Sequence, residues 1–213
     1  MPDPWNTDDP EDRQRIQRNA QRVLEKAVES AINRDRPTIA LAQDWHRGFF
    51  DGCNLPVPYY AGEVRDTDPT FPELIDYEVT VGVHGGTPAR EVPRELSHFE
   101  AQIKEAVAVL DARLAPGDVP SDAGTLGSVL ILTASTHGEW VRIHPFANGN
   151  GRTGRVWANW SLIRYGLPAV VRLRPRPEGD AYAQAALASM AGNHGPMVGV
   201  LNTMIRNRLR RST

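Results

Sequence analysis

Between His144 and Arg155 the chain reads His-Pro-Phe-Ala-Asn-Gly-Asn-Gly-Arg-Thr-Gly-Arg. Gly149 and Gly151 bracket Asn150, so the backbone can turn sharply and take positive φ. Successive N–H groups in such a turn form a concave nest for an anion. A helix opening after the turn adds N–H groups without internal acceptors and the positive end of its dipole. Arg152 and Arg155 are three residues apart and share a face of that helix. Their guanidinium forks suit phosphate oxygens. Cations at a helix N-terminus oppose the dipole, so ordinary surface ion pairing explains this pair poorly and a bound polyphosphate explains it well.

His144 precedes Pro145, which disfavours a helical conformation and stops the preceding helix. The imidazole is then aimed at the nest, where a neutral histidine beside a phosphate ester is a candidate general base. Phe146 reads as a core anchor beneath the loop, without a chemical role. Asn159 lies four residues past Arg155 and either supports it or is an ordinary polar helix residue. His84, His98 and His137 do not make a metal set: the first two read as exposed and His137 as a hydrogen-bonded core residue. The tryptophans Trp140, Trp157 and Trp160 read as core packing around the motif, and Trp45-His46 as part of a second helix.

Those residues need helices to hold them. Ile16, Ala20, Val23, Leu24, Ala27, Ala31 and Ile32 recur at helical spacing, which predicts a helix over about Pro10 to Asn33, broken before Pro37. A short helix is expected over Ile39 to Phe50, followed by an irregular stretch marked by Gly52, Pro56, Pro58 and Gly62. Glu78 to His84 alternates and precedes Gly85-Gly86, which predicts one strand, an arm of a hairpin. Leu96 to Leu114 restores the helical period. Thr125 to Ile143 is apolar nearly all round and is expected to be the buried central helix. Further helices are expected from Gly151 to Tyr165, Asp180 to Ala191 and Pro196 to Leu209.

Composition sets the frame. The chain has 213 residues, 40% hydrophobic and 23% charged, which excludes a disordered chain and suits a globular one with a sizeable core. The net charge of -2 gives no global field toward nucleic acid or an anionic membrane. The single Cys53 has no internal disulfide partner and no zinc-site spacing. No apolar run approaches the ~20 residues of a membrane span. The acidic start, with Asp3, Asp8, Asp9, Glu11 and Asp12, is unlike a secretory signal and suits a helix N-terminus. The basic end, with Arg206, Arg208, Arg210 and Arg211, suits a helix C-terminus better than a nucleic-acid contact. A cytoplasmic location is expected.

The segment from His144 to Arg155 resembles the signature of the Fic family, His-Pro-Phe-x-(Asp/Glu)-Gly-Asn-Gly-Arg-x-x-Arg, with Asn148 at the acidic position. A looser likeness runs from about Ile39 to Ile205. In it Gly62-Glu63-Val64-Arg65 is similar to a Gly-x-x-Arg turn, Glu78 to His84 lies where Fic proteins carry a β-hairpin flap, and Gly166-Leu167-Pro168 and Tyr182 look like the downstream helices. The resemblance implies a mainly α, Fic-type helical bundle with a small β-hairpin flap. The expected organisation is an N-terminal helix and appendage over 1–36, a Fic domain over 37–205 and a basic tail over 206–213.

The activity so implied is transfer of AMP from ATP to a Ser, Thr or Tyr hydroxyl of a target protein. His144 would be the catalytic base. Gly149, Asn150 and Gly151 would hold phosphates, and Arg152 and Arg155 the triphosphate. Val79, Thr80, Val81, Gly82 and Val83 would pair with an extended target segment. Mg²⁺ is expected as well, with Asn148 at the metal position offering a neutral amide oxygen, so that phosphates and water would carry most of the coordination. A Doc-type phosphotransferase and a weakly catalytic nucleotide-binding regulatory module are the alternatives. The inhibitory string Ser/Thr-x-x-x-Glu-Gly/Asn of many Fic proteins is not found, so control would come from a separate inhibitory protein or be absent.

Overall fold

A computed structural model describes Trp5 and residues 10–211. Asp3, Asp8 and Asp9 of the acidic start lie outside the described residues. Seven helices are seen among those described: α1 (Pro10–Ile32), α2 (Ile39–Phe49), α3 (Val92–Asp111), α4 (Ala123–Ile143), α5 (Asn150–Arg164), α6 (Asp180–Met190) and α7 (Gly195–Arg210). A two-stranded antiparallel sheet, β1 (Thr80–Val81) with β2 (His84–Gly85), lies between α2 and α3 in the chain. Mainly α with a small hairpin is therefore the observed fold class.

The helical stripes bury as their spacing requires. α1 turns Ile16, Ala20, Val23, Ala27 and Ala31 inward against α2 and α5, whereas Ile32, at the last position of the helix, is exposed. Thr38 caps α2 by accepting from the Leu41 N–H at 3.2 Å, and Asp122 caps α4 by accepting from the N–H groups of Gly124 and Thr125 at 2.8 and 2.9 Å. The core has two parts. One gathers Trp45, Phe99, Trp140, Phe146, Trp157 and Trp160 among α1 to α5. The other packs Leu130, Ala158, Leu162, Tyr182, Met197 and Leu201 among α4 to α7.

Two expectations change. The most completely buried helix is α5, all of it buried except Gly151 and Ile163, whereas α4 leaves Ile131 58% exposed. Its sequence hides this, because α5 is rich in polar residues. Three of them are buried on partners: Asn159 on both backbone groups of Val171, Arg155 on the Leu173 carbonyl, Arg164 on Asp111. The stretch from Glu78 to His84 is not one strand. Gly82, at φ 61°, opens a two-residue turn inside it, so Val81 pairs with His84 and the hairpin is already closed at Gly85. His84 is accordingly a half-buried strand residue, not an exposed tip; Val83 is the tip, at 92% exposure.

Candidate active site

The loop from His144 to Gly149 joins the end of α4 to the start of α5, two helices packed along each other in the centre of the fold. It forms part of the wall of a cleft of about 990 Å³, which the phosphate-loop candidates share with β1 and with the segment carrying Arg174 and Arg176.

His144 ends α4 in the left-handed conformation, φ 54° and ψ 54°, and its N–H donates to the Trp140 carbonyl. Its Nδ1 lies 2.9 Å from the Val141 carbonyl. A carbonyl only accepts, so Nδ1 carries the proton and Nε2 keeps its lone pair. Burial pushes the imidazole pKa down to about 4, the Val141 contact opposing and Arg65 assisting. The ring is therefore neutral at physiological pH, and an anion brought beside it would raise its pKa toward the working range. In nucleotide-free protein, an NMR titration of the His144 ring should show a midpoint near 4, well under the ordinary 6.5, rising when ATP is added. A midpoint near 6.5 in the free protein would contradict the buried, Val141-bound tautomer.

Gly149 opens α5 at φ 82°, and its carbonyl accepts from the N–H groups of Arg152 and Thr153. The N–H groups of Asn150 and Gly151 have no acceptor among the described residues, which leaves them for an anion. The Asn150 side chain is not part of that cradle. It is buried and clamps Phe146, accepting from its N–H and donating to its carbonyl, both at 2.8 Å. A Cβ on Gly149 would stand 2.8 Å from His46 Nε2 and 3.0 Å from the Phe50 ring, in a backbone conformation that side chains resist. Gly149→Ala should thus cost ~1–3 kcal/mol of stability, read by urea unfolding, and weaken phosphate binding. An unchanged unfolding midpoint would contradict the packing.

Both motif arginines are buried, at 7 and 8% exposure, and neither has an ion-pair carboxylate among the described residues. Arg152 lies 4.8 Å over the Phe50 ring, and Nη2 reaches Asn148 Oδ1 at 3.2 Å. Burial, then Arg174 and Arg155, push its pKa down to about 9, so it stays charged at neutral pH. Arg155 spends Nε and Nη2 on the Leu173 carbonyl and brings Nη1 up to Gly151, where a Cβ would stand 3.3 Å away. Two desolvated guanidinium groups beside free N–H groups have the chemistry to hold an anion.

Asn148 does not fit the metal position. Its Oδ1 accepts from the Gly149 N–H at 2.6 Å and from Arg152, which uses both lone pairs and places a cation beside the oxygen. Its Nδ2 donates to the Trp5 carbonyl at 3.0 Å. No group of three or more metal-ligating side chains occurs among the described residues.

Residues 36–162 match the Fic/DOC family. The chain belongs to that family. A protein adenylyltransferase Fic from Nematostella vectensis is 40% identical over 65 residues, 30% of this chain and 14% of that protein. A Fido domain-containing protein from Dictyostelium discoideum is 44% identical over 46 residues, 22% of this chain and 31% of that protein. The matches thus span under a third of each curated relative. Among solved structures, a Fic domain containing signaling protein from Bacteroides thetaiotaomicron superposes with TM-score 0.61 at 20% identity, covering 90% of this chain and 69% of that one. The BepC protein of Bartonella tribocorum, solved with bound AMPPNP, superposes with TM-score 0.57 at 18% identity, covering 88% and 86%. These likenesses show the Fic fold.

In this Fic protein one buried residue ties His144 to the hairpin. Arg65, fully buried, donates to the carbonyls of Tyr77, Thr87, Ile143 and His144 at 2.7 to 3.2 Å. The Gly86 N–H donates to the Val79 carbonyl, and Gly86 packs so closely that a Cβ would stand 2.9 Å from that of His144. Val79, Thr80 and Val81 line the cleft; Gly82 and Val83 turn the hairpin beyond it. No helix among the described residues is long and apolar enough to cross a membrane.

Sequence reasoning gave His46 only a place in the second helix; in the structure it braces the loop from His144 to Gly149. Its Nδ1 accepts from the Gly62 N–H at 2.9 Å, so Nε2 carries the proton and donates to the Asn148 carbonyl at 2.8 Å. The ring stacks on Phe146 at 3.7 Å, and burial pushes its pKa down to about 3. Trp5 also escaped notice: its ring packs on Phe50, Tyr60 and His46. His137 is a buried core residue, hydrogen-bonded to Tyr182 at 2.8 Å, and His98 is exposed.

Proposed function

We propose that this chain is a protein adenylyltransferase, transferring AMP from ATP to a Ser, Thr or Tyr hydroxyl of another protein. The observation that carries the reading is one cleft holding a histidine with a free Nε2 lone pair beside two carboxylate-free buried arginines and two unspent helix N–H groups. The cradle and arginines bind the triphosphate. The target hydroxyl oxygen attacks the α-phosphorus while His144 Nε2 takes its proton. The bond from the α-phosphorus to the bridging oxygen breaks, and pyrophosphate leaves, its charge held by Arg152 and Arg155. β1 pairs with β2 along one edge and keeps its other edge for an extended target segment, which would bring the hydroxyl to His144.

The intact Gly149-Asn150-Gly151 turn favours nucleotidyl over phosphoryl transfer. Incubation with ATP labelled at the α or the γ phosphate, in a cell lysate as target source, separates the readings. Protein-bound label from the α position supports adenylylation. Label from γ alone would replace it with a phosphotransferase, and binding without transfer would leave a regulatory module.

A further inference from the structure

Taking the cleft as a triphosphate site, as the proposed function does, we infer that Arg174 and Arg176 supply the positive charge that a protein-held divalent cation would otherwise bring, so that triphosphate binds without metal. The starting point is the misfit at Asn148. Both lone pairs of its Oδ1 are taken, one by the positively charged Arg152, and its Nδ2 is held by the Trp5 carbonyl. Hard cations favour carboxylate oxygens. Glu78 is the acidic residue lining the cleft, and its oxygens face the Ala89 N–H at 3.2 Å and Arg65 at 3.7 Å.

Positive charge, by contrast, is abundant. Arg152, Arg155, Arg174 and Arg176 line this cleft, and none of them has an ion-pair carboxylate among the described residues. Neighbouring Arg172 shows the ordinary alternative, pairing with Glu178 at 2.9 Å. The four fields overlap: Arg174 disfavours the charge on both Arg152 and Arg155, and Arg176 that on Arg155. Such crowding costs free energy that a polyanion offsets. A triphosphate carries roughly four negative charges near neutral pH, its terminal phosphate alone about 1.5 to 2.

The segment is also fixed in place. Gln17 donates to the Arg174 carbonyl at 3.3 Å, Arg172 donates to the carbonyls of Pro175 and Arg176 at 3.1 Å, and Arg155 holds Leu173. The two added arginines are thus presented by backbone that the motif arginine itself helps to anchor.

The test is calorimetric titration of inorganic tripolyphosphate and of ATP, each in EDTA and in excess Mg²⁺, into the full chain and the Arg174→Ala/Arg176→Ala variant. Circular dichroism checks that the variant is folded. Wild type should bind both ligands in EDTA at least as tightly as in Mg²⁺. The variant should lose about tenfold or more in EDTA and distinctly less in Mg²⁺, because the metal complex needs fewer cations. Wild-type ATP binding that weakens about tenfold in EDTA would overturn the inference while leaving the adenylyltransferase reading intact. Equal affinity of variant and wild type in EDTA would overturn the assignment to Arg174 and Arg176. Metal-free tripolyphosphate binding with no ATP binding would support the inference and sink the nucleotide reading; no binding of either would sink both.

Discussion

Replacing His144 with alanine is expected to lower the rate of transfer by ~10²–10⁴ while leaving the Kd for ATP within about threefold of wild type. The split follows from where the residue sits. His144 lines the cleft but ends α4, and the anion cradle is built by the start of α5 with Arg152 and Arg155. Removing the ring takes away the Nε2 lone pair and leaves the free N–H groups of Asn150 and Gly151 where they are. The ring's own tie is a single bond, Nδ1 to Val141, so its loss should perturb the fold little. Single-turnover transfer and calorimetric ATP binding, made on the same preparations, read the two quantities. Equal transfer rates in variant and wild type would remove His144 as the base. An equal loss of binding and rate would recast it as a phosphate ligand.

The second large effect is expected at Arg65. Arg65→Leu deletes donors to four carbonyls, those of Tyr77, Thr87, Ile143 and His144. Each buried acceptor left unpaired costs ~1–3 kcal/mol, so stability should fall by roughly 3 kcal/mol or more. Because those carbonyls belong to His144, to its neighbour Ile143 and to the two ends of the hairpin segment, the proposed transfer should fall with it. Arg65→Lys keeps the charge but offers a point donor in place of a planar fork, and should recover only part of the loss. Urea unfolding of the three proteins measures the first effect. Amide hydrogen exchange at Gly86 and Thr87, which donate to Val79 and Ile143, measures the loosening of the flap. A stability change under about 1 kcal/mol, with unchanged exchange at those amides, would contradict the tie.

Local spacing exposed some of this site and hid the rest. The loop from His144 to Gly149 and the helix start after it were legible because their parts are consecutive: the glycines, the arginines three apart and the histidine before proline all fall within His144 to Arg155. The helices α1 and α3 were legible because each carries an apolar stripe, and for α3 the stripe from Leu96 to Leu114 missed the first turn, which Val92 and Pro93 open, and ran three residues past the end at Asp111. The supports of the loop were not legible. His46 reaches Asn148 across 102 residues, Arg65 reaches His144 across 79, and Trp5 reaches Asn148 across 143. Such pairs leave no periodic trace in the chain. Asn150 shows the same limit in reverse: its place between two glycines suggested a phosphate ligand, but its side chain is committed to Phe146. Asn148 reads as a weakened metal ligand in sequence and becomes a junction between the Gly149 N–H, Arg152 and Trp5 in three dimensions.

The most direct test of the account is mass spectrometry of a lysate incubated with this protein and ATP, beside the same lysate incubated with His144→Ala. Peptides should gain one adenylyl group on a Ser, Thr or Tyr hydroxyl with the wild-type protein and lack it with the variant. A gain of phosphoryl groups alone, or adenylyl groups present equally in both samples, would contradict it.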